Sequence, residues 1–188
     1  MVGDESMNKQ LQAYYTKEQV ITDYMVNSLN LSDGDKVLEP SVGDGAFIEP
    51  LIKSGKRLSI EAVDINNVEI SKLTERYKDL EIIFRTTDTL FDESFDLIYD
   101  IGQGFDKIIG NPPYGAWQDM ERRALLKEKY GKNTNVKETY TLFFERCLSL
   151  LNDGGKLSFI IPDTFLYIHS HKRLRKKILD SCEVDSIL

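Results

Sequence analysis

Along this chain, short apolar runs alternate with longer segments whose apolar positions recur at three- and four-residue spacing. The short runs suit strands buried on both faces, and the periodic segments suit amphipathic helices packed across them. The pattern predicts a helix from Thr16 to about Asn30, opened by a capping box of Thr16 and Gln19. Strands are expected at Lys36–Glu39, at Leu58–Val63 ending on Asp64, and at Ile82–Thr86, with helices at Phe47–Lys53 and about Val68–Tyr77 between them. Two later runs, Phe95–Tyr99 and Phe105–Ile109, both begin Phe-Asp. Phe105–Ile109 is the better central strand, because it leads into Asn111-Pro-Pro, which cannot continue a ladder. Residues 91–103 then form an insertion, a short helix or hairpin. Met120–Tyr130 reads as a polar helix. Thr139–Leu151 reads as an amphipathic one, with Leu142, Phe143, Cys147 and Leu150 on one side, stopped by Asn152-Asp-Gly-Gly. Lys156–Ile161 is a strand halted by Pro162, Arg173–Cys182 a final helix, and Val184–Leu188 the start of another strand. The alternation predicts an α/β fold: a doubly wound, mostly parallel sheet with helices on both faces.

A length of 188 residues with 41% apolar content suits one domain with a real core. We expect a leader without structure at 1–13 and a single domain at 14–188. The leader carries Asp4 and Glu5 and no apolar stretch of the signal-peptide kind, and no run approaches the length of a membrane span. Cys147 and Cys182 lie far apart with no C-x-x-C, which fits a reducing, cytoplasmic setting. With His169 and His171 they match no metal spacing, so no metal is expected.

The net charge of −7 is awkward for a nucleic-acid partner, whose binding relies on Lys and Arg. The cations are not evenly spread, however. Arg122, Arg123, Lys127, Lys129, Lys132 and Lys137 follow an NPPY segment, and a second block runs from His171 to Lys177. The second reads equally well as a solvated helix face; the first, nearer the presumed site, is the better candidate to meet phosphate.

The run from Val37 to Phe47, VLEPSVGDGAF, places Gly43 and Gly45 between a strand and a helix, where glycine permits a sharp turn and close approach to a ligand. Asp64, at the end of the next strand, stands where an acid accepts hydrogen bonds from ribose hydroxyls. A dinucleotide pyrophosphate prefers a third glycine, but that position is Ile48, and Glu39 and Asp44 surround the turn with negative charge. Acids repel a pyrophosphate and attract the ammonium and sulfonium of S-adenosylmethionine, so the sulfonium cofactor is the better fit.

Asn111-Pro112-Pro113-Tyr114 follows the central strand, at the edge where open sheets keep their ligands. Its prolines favour extended backbone, so the Asn111 side-chain carbonyl and the Pro112 backbone carbonyl can converge on one point. Two neutral acceptors suit a planar amine attached to a ring. By accepting both its protons they free the nitrogen lone pair, and the pull grows as positive charge develops in the transition state. Tyr114 offers a flat face to the ring carrying that amine. A base inside a duplex is out of reach of such a loop, so a DNA target would have to be flipped out.

With these motifs in order, residues 14–188 resemble the gamma class of adenine-N6 DNA methyltransferases, including modification enzymes of the TaqI-like type. The segment from Tyr15, YTKEQVITDYM, is similar to that family's N-terminal cofactor motif, with Lys17 where proline is usual. The resemblance implies a Rossmann-like S-adenosylmethionine-dependent fold. It also implies cofactor contacts from Thr16, Glu39, Pro40, Gly43, Gly45, Asp64, Ile65, Asp88 and Asn111. Asp64 would hold the ribose and Asp88, in TTDTL, the adenine amine of the cofactor. Asn111, Pro112 and Tyr114 would be catalytic, and Pro113, Tyr114 and Phe165 would line the base pocket, although core packing suits Phe165 as well.

The implied function is transfer of a methyl group to the N6 amine of a flipped adenine in double-stranded DNA, as part of a restriction-modification system. The family continues into a further strand pair and a target-recognition domain, and Leu188 comes before both, as expected of a fragment or of a subunit completed by a partner. Two rivals remain. A protein glutamine amide is also a planar conjugated amine and suits the same NPPY loop. A non-catalytic S-adenosylmethionine-binding subunit would show the same cofactor motifs.

Overall fold

Five strands form where the apolar runs predict them: β1 at Lys36–Glu39, β2 at Ser59–Asp64, β3 at Ile82–Thr86, β4 at Phe105–Gly110 and β5 at Leu151–Phe159. The coordinates are a computed structural model that describes residue 16 and residues 18–115, 120–131 and 138–188. The expected leader, Lys132 and Lys137 lie outside those residues. The strands make one parallel sheet in the order β3-β2-β1-β4-β5. Val37 of β1 stands in register with Ile60 of β2 on one side and Lys107 of β4 on the other.

Seven helices occur among the described residues: α1 Gln19–Ser28, α2 Ile48–Lys53, α3 Asn67–Arg76, α4 Glu93–Asp100, α5 Met120–Tyr130, α6 Thr139–Leu150 and α7 Lys172–Ser181. They divide between the two faces because successive strand residues point to opposite sides. Val37, Ile60, Ala62 and Ile109 turn to one face and pack with Met25, Leu29, Leu51, Ile70 and Leu73 of α1–α3 and the turn after α1. Leu38, Val63 and Ile108 turn to the other and pack with Phe95 of α4 and Cys147 and Leu150 of α6. α5 sends Leu126 into a third cluster with Leu90, Leu142 and Phe143, and α7 sends Leu174 and Ile178 into a fourth with Tyr140 and Phe165. The insertion expected at 91–103 is the helix α4.

Four expectations need correction. α1 begins at Gln19, not Thr16. Glu18 occupies the cap position without a side-chain cap bond, and the Thr16 hydroxyl instead accepts a hydrogen bond from Asn111 Nδ2 at 3.1 Å. A tertiary partner has outcompeted the local capping box. Asn152-Asp-Gly-Gly is not a plain stop before the last strand, because β5 begins at Leu151. The Asn152 amide donates to the Gly104 carbonyl and to Asp106 Oδ1, which draws this stretch against the start of β4, and the β4–β5 register shifts there. β5 also closes at Phe159, two residues before the expected end, although Ile160 N still donates to the Gly110 carbonyl. Residues 182–188 are irregular where a new strand was expected, with Asp185 tied to Lys156 at 2.6 Å.

Candidate functional site

All but two of the predicted site residues gather at the carboxyl ends of β1–β4, where β1 and β4 lie side by side and the chain winds outward in both directions. Such a switch in winding is where open α/β sheets keep their ligands. Thr16 joins it from before α1 through its bond to Asn111; Phe165 follows β5.

The turn after β1 is built on two left-handed glycines, Gly43 with φ 52° and Gly45 with φ 85°. Gly43 N–H donates to Asp64 Oδ2 at 2.8 Å, and Val42 N–H donates to the Val63 carbonyl, so the turn is stapled to the end of β2. A Cβ on Gly45 would stand 2.6 Å from Leu73 Cδ2, which explains the glycine by packing as well as by conformation. Asp64 also accepts from Asn66 N–H. Burial pushes its carboxyl up, against the pull of the amides of Asn66, Gly43 and Ile65. Ile65 beside it is half exposed, an apolar surface next to the acid.

Glu39 is the unusual member. It is 1% exposed at the end of β1, and its Oε2 has no hydrogen-bond partner. Burial first, then the charges of Asp64 and Asp44, hold its carboxyl well above the usual carboxylate range. An orphaned buried acid beside a glycine cradle fits a cationic ligand and disfavours a pyrophosphate. The ammonium and sulfonium of S-adenosylmethionine meet that requirement.

The segment after β3 closes another side. Thr89 donates its hydroxyl to the Pro40 carbonyl at 2.6 Å, locking this segment to the glycine turn. Asp88 Oδ1 accepts from Leu90 N–H, and Asp88 Oδ2 pairs with Arg122 of α5 at 2.5 Å. Arg122 also lies over the Phe91 ring. The cation expected to meet phosphate is thus engaged by the acid expected to meet the cofactor. Behind them Arg146, 6% exposed, donates to the carbonyls of Thr89 and Asp92 and pairs with Asp96.

On the β4 side, Asn111 carries its amide nitrogen to Thr16, while its amide oxygen is buried. Pro112 is buried, and Pro113 and Tyr114 are partly exposed. The Tyr114 ring meets Tyr140 edge-on, with centroids 6.4 Å apart. Phe165, 7% exposed, packs inward, stacked between Phe144 and His171. His171 Nε2 lies 2.7 Å from Glu138 Oε2 and 3.0 Å from the Tyr140 hydroxyl, and burial pushes that phenol up to about 12. The second cationic block is therefore only partly a solvated face: His171 is in this core, and Arg175 donates to the carbonyls of Phe165 and Ile168.

Thr89, Arg146, the pairing of Arg122 with Asp88 and the packing of His171 against Tyr140 and Phe165 were not foreseen from sequence. Arg146 alone left a signal, as a cation on the apolar side of an amphipathic helix between Phe143 and Leu150. Among the described residues no group of three metal-ligating side chains occurs, and no helix is long and apolar enough to cross a membrane.

Residues 45–188 match the family model of the Eco57I restriction-modification methylase. Over 193 aligned positions the chain is 28% identical to the type II methyltransferase M.HincII of Haemophilus influenzae, covering 98% of this chain and 34% of that protein. It is 27% identical to M.TthHB8I of Thermus thermophilus, covering 81% of this chain and 35% of that protein. The chain therefore spans about a third of the length of these relatives. Among solved structures, a modification subunit of a putative type I restriction enzyme from Vibrio vulnificus superposes with a TM-score of 0.72 at 14% identity, covering 95% of this chain and 41% of that one. TrmN from Thermus thermophilus superposes with a TM-score of 0.56 at 19% identity, covering 82% and 40%. These likenesses show the Rossmann-like fold.

Proposed function

The chain belongs to the Eco57I restriction-modification methylase family, and from that premise we propose that it carries the cofactor-binding and catalytic part of a DNA methyltransferase acting on the N6 amine of a flipped adenine. One observation carries the reading: Asn111, the first residue of NPPY, is held by Thr16 at the same sheet edge as the glycine turn and the buried Glu39. Bound S-adenosylmethionine would supply a methyl group on a sulfonium centre.

The chain's own residues handle the amine. The Asn111 amide nitrogen is committed to Thr16, which leaves its oxygen as the acceptor for one amine proton; the Pro112 carbonyl is the acceptor for the other. With both protons drawn away, the nitrogen lone pair leaves conjugation with the ring and attacks, and one proton passes to solvent after transfer. Tyr114, braced edge-on by Tyr140, is the face on which the base stacks. No general base is needed. Phe165 contributes by backing this aromatic group rather than by touching the base. The relatives are about three times as long as the aligned region, so we assign recognition of the DNA sequence to a unit outside residues 14–188.

The test uses labelled S-adenosylmethionine and DNA from a methylation-deficient host, with nucleosides separated after digestion. Label is expected in N6-methyladenine. Asn111→Ala is expected to lose at least about 100-fold in rate while cofactor affinity stays within a few-fold. Label in cytosine, or equal loss of affinity and rate, would overturn the assignment.

A further inference from the structure

Three carboxylates meet at the glycine turn, and their surroundings differ. Asp64 accepts two backbone amides, each at 2.8 Å, so its charge has donors. Asp44 is exposed and solvated. Glu39 is sealed from water, and its Oε2 has no donor. The charges bearing on it are those of Asp64 at the end of β2 and Asp44 in the turn, both of its own sign. Tyr77, which follows α3, also senses its charge. A buried anion without donor or counter-charge is the costly state of a carboxyl group, and a protonated acid is the cheap one. A cation placed against Glu39 reverses that order.

We propose that Glu39 is the charge-selecting residue of the site, giving up its proton to solvent when a cationic ligand docks and recovering it when the ligand leaves. The inference rests on the cofactor reading above. In the step, the Glu39 O–H bond breaks, the proton goes to water or buffer, and the ligand's positive charge takes its place beside the carboxylate. A ligand of the same shape without that charge leaves the acid protonated and gains nothing from it. The elevated proton affinity of the carboxyl places the exchange above the ordinary carboxylate range.

The experiment is calorimetric titration of the full chain with S-adenosylmethionine at several pH values from about 5 to about 8, in buffers of differing ionisation heat, read at the pH where release is greatest. Proton release approaching about one per ligand is expected. Affinity should rise toward about tenfold per pH unit while Glu39 remains protonated in the free protein. Glu39→Gln mimics the protonated acid in shape and charge. It should fold, bind more weakly, release about one proton fewer and lose the corresponding pH slope. Binding by the parent protein without proton release, or a variant whose release is unchanged, overturns the inference and leaves the cofactor reading intact. No binding by either protein removes the cofactor reading itself.

Discussion

Replacing Gly45 with alanine puts a methyl group where the glycine turn meets the core. The added Cβ would lie 2.6 Å from Leu73 Cδ2, whereas carbon atoms rest at about 3.5–4.0 Å, so something must move by about 1 Å. Leu73 is 2% exposed, packed among Phe47, Ile48 and Ile70, with little room to rotate away. Overpacking of this kind costs about 1–3 kcal/mol. The backbone at φ 85° adds about 1–2 kcal/mol for any residue with a Cβ. The sum, about 2–5 kcal/mol, corresponds to a fall in Tm of about 4–20 °C for a chain of this size. Because Gly43 next door is stapled to Asp64, the shift should also weaken S-adenosylmethionine binding, readable by calorimetry. Leu73→Ala tests the cause. Added to Gly45→Ala it removes the clash, so the double variant should be more stable than the sum of the two single losses by about 1–3 kcal/mol. A Gly45→Ala protein melting within about 1 °C of the parent, or strictly additive losses, would refute the reasoning.

Two further outcomes follow from buried charge. Arg146→Ala removes the guanidinium donor from the Thr89 carbonyl and one of the donors of the Asp92 carbonyl and of Asp96, which keep Phe95 N–H and Lys129, and should cost about 1–3 kcal/mol in chemical denaturation. A loss under about 1 kcal/mol would mean water replaces the guanidinium freely. His171 is held below its ordinary value of 6.5, by burial first, with Glu138 pulling it up and Arg175 down. A lowered folded value means the stability it contributes is present above about pH 6.5 and is lost as pH falls toward the folded value. Urea midpoints measured from about pH 7.5 down to pH 5 should decline less steeply in His171→Gln than in the parent, and equal slopes would discard this role.

The strands were readable because a parallel sheet buries both faces, so VLE, IEAV and KII stand out as apolar runs between polar turns. The glycine turn was readable for a different reason: Gly43 and Gly45 do backbone work that few other residues can do. What stayed hidden was set by partners distant in sequence. Thr16 carries the local signature of a helix cap, yet its partner is Asn111, 95 residues on. Asp88 was read as a ligand contact, and no local pattern announces that Arg122 would pair with it. Asn152 reads as turn chemistry and serves instead as a clamp on the start of β4. Asn111, Glu39 and Asp64 were legible as motif residues. The orphaned oxygen of Glu39 was not, since burial of one atom leaves no trace in a local pattern.

The neighbouring positions of β1 and β4 have a consequence for how the protein comes into being. β1, β2 and β3 can assemble from a continuous stretch, residues 36–86, by successive local crossovers. Joining β4 to β1 requires closing a loop of 70 residues, spanned by the bond from Lys36 N–H to Asp106, at an entropic cost of about 4 kcal/mol before any contact compensates. A nascent chain therefore holds a formed glycine turn well before it holds NPPY beside it. The docking of β4 beside β1 is thus expected late in folding.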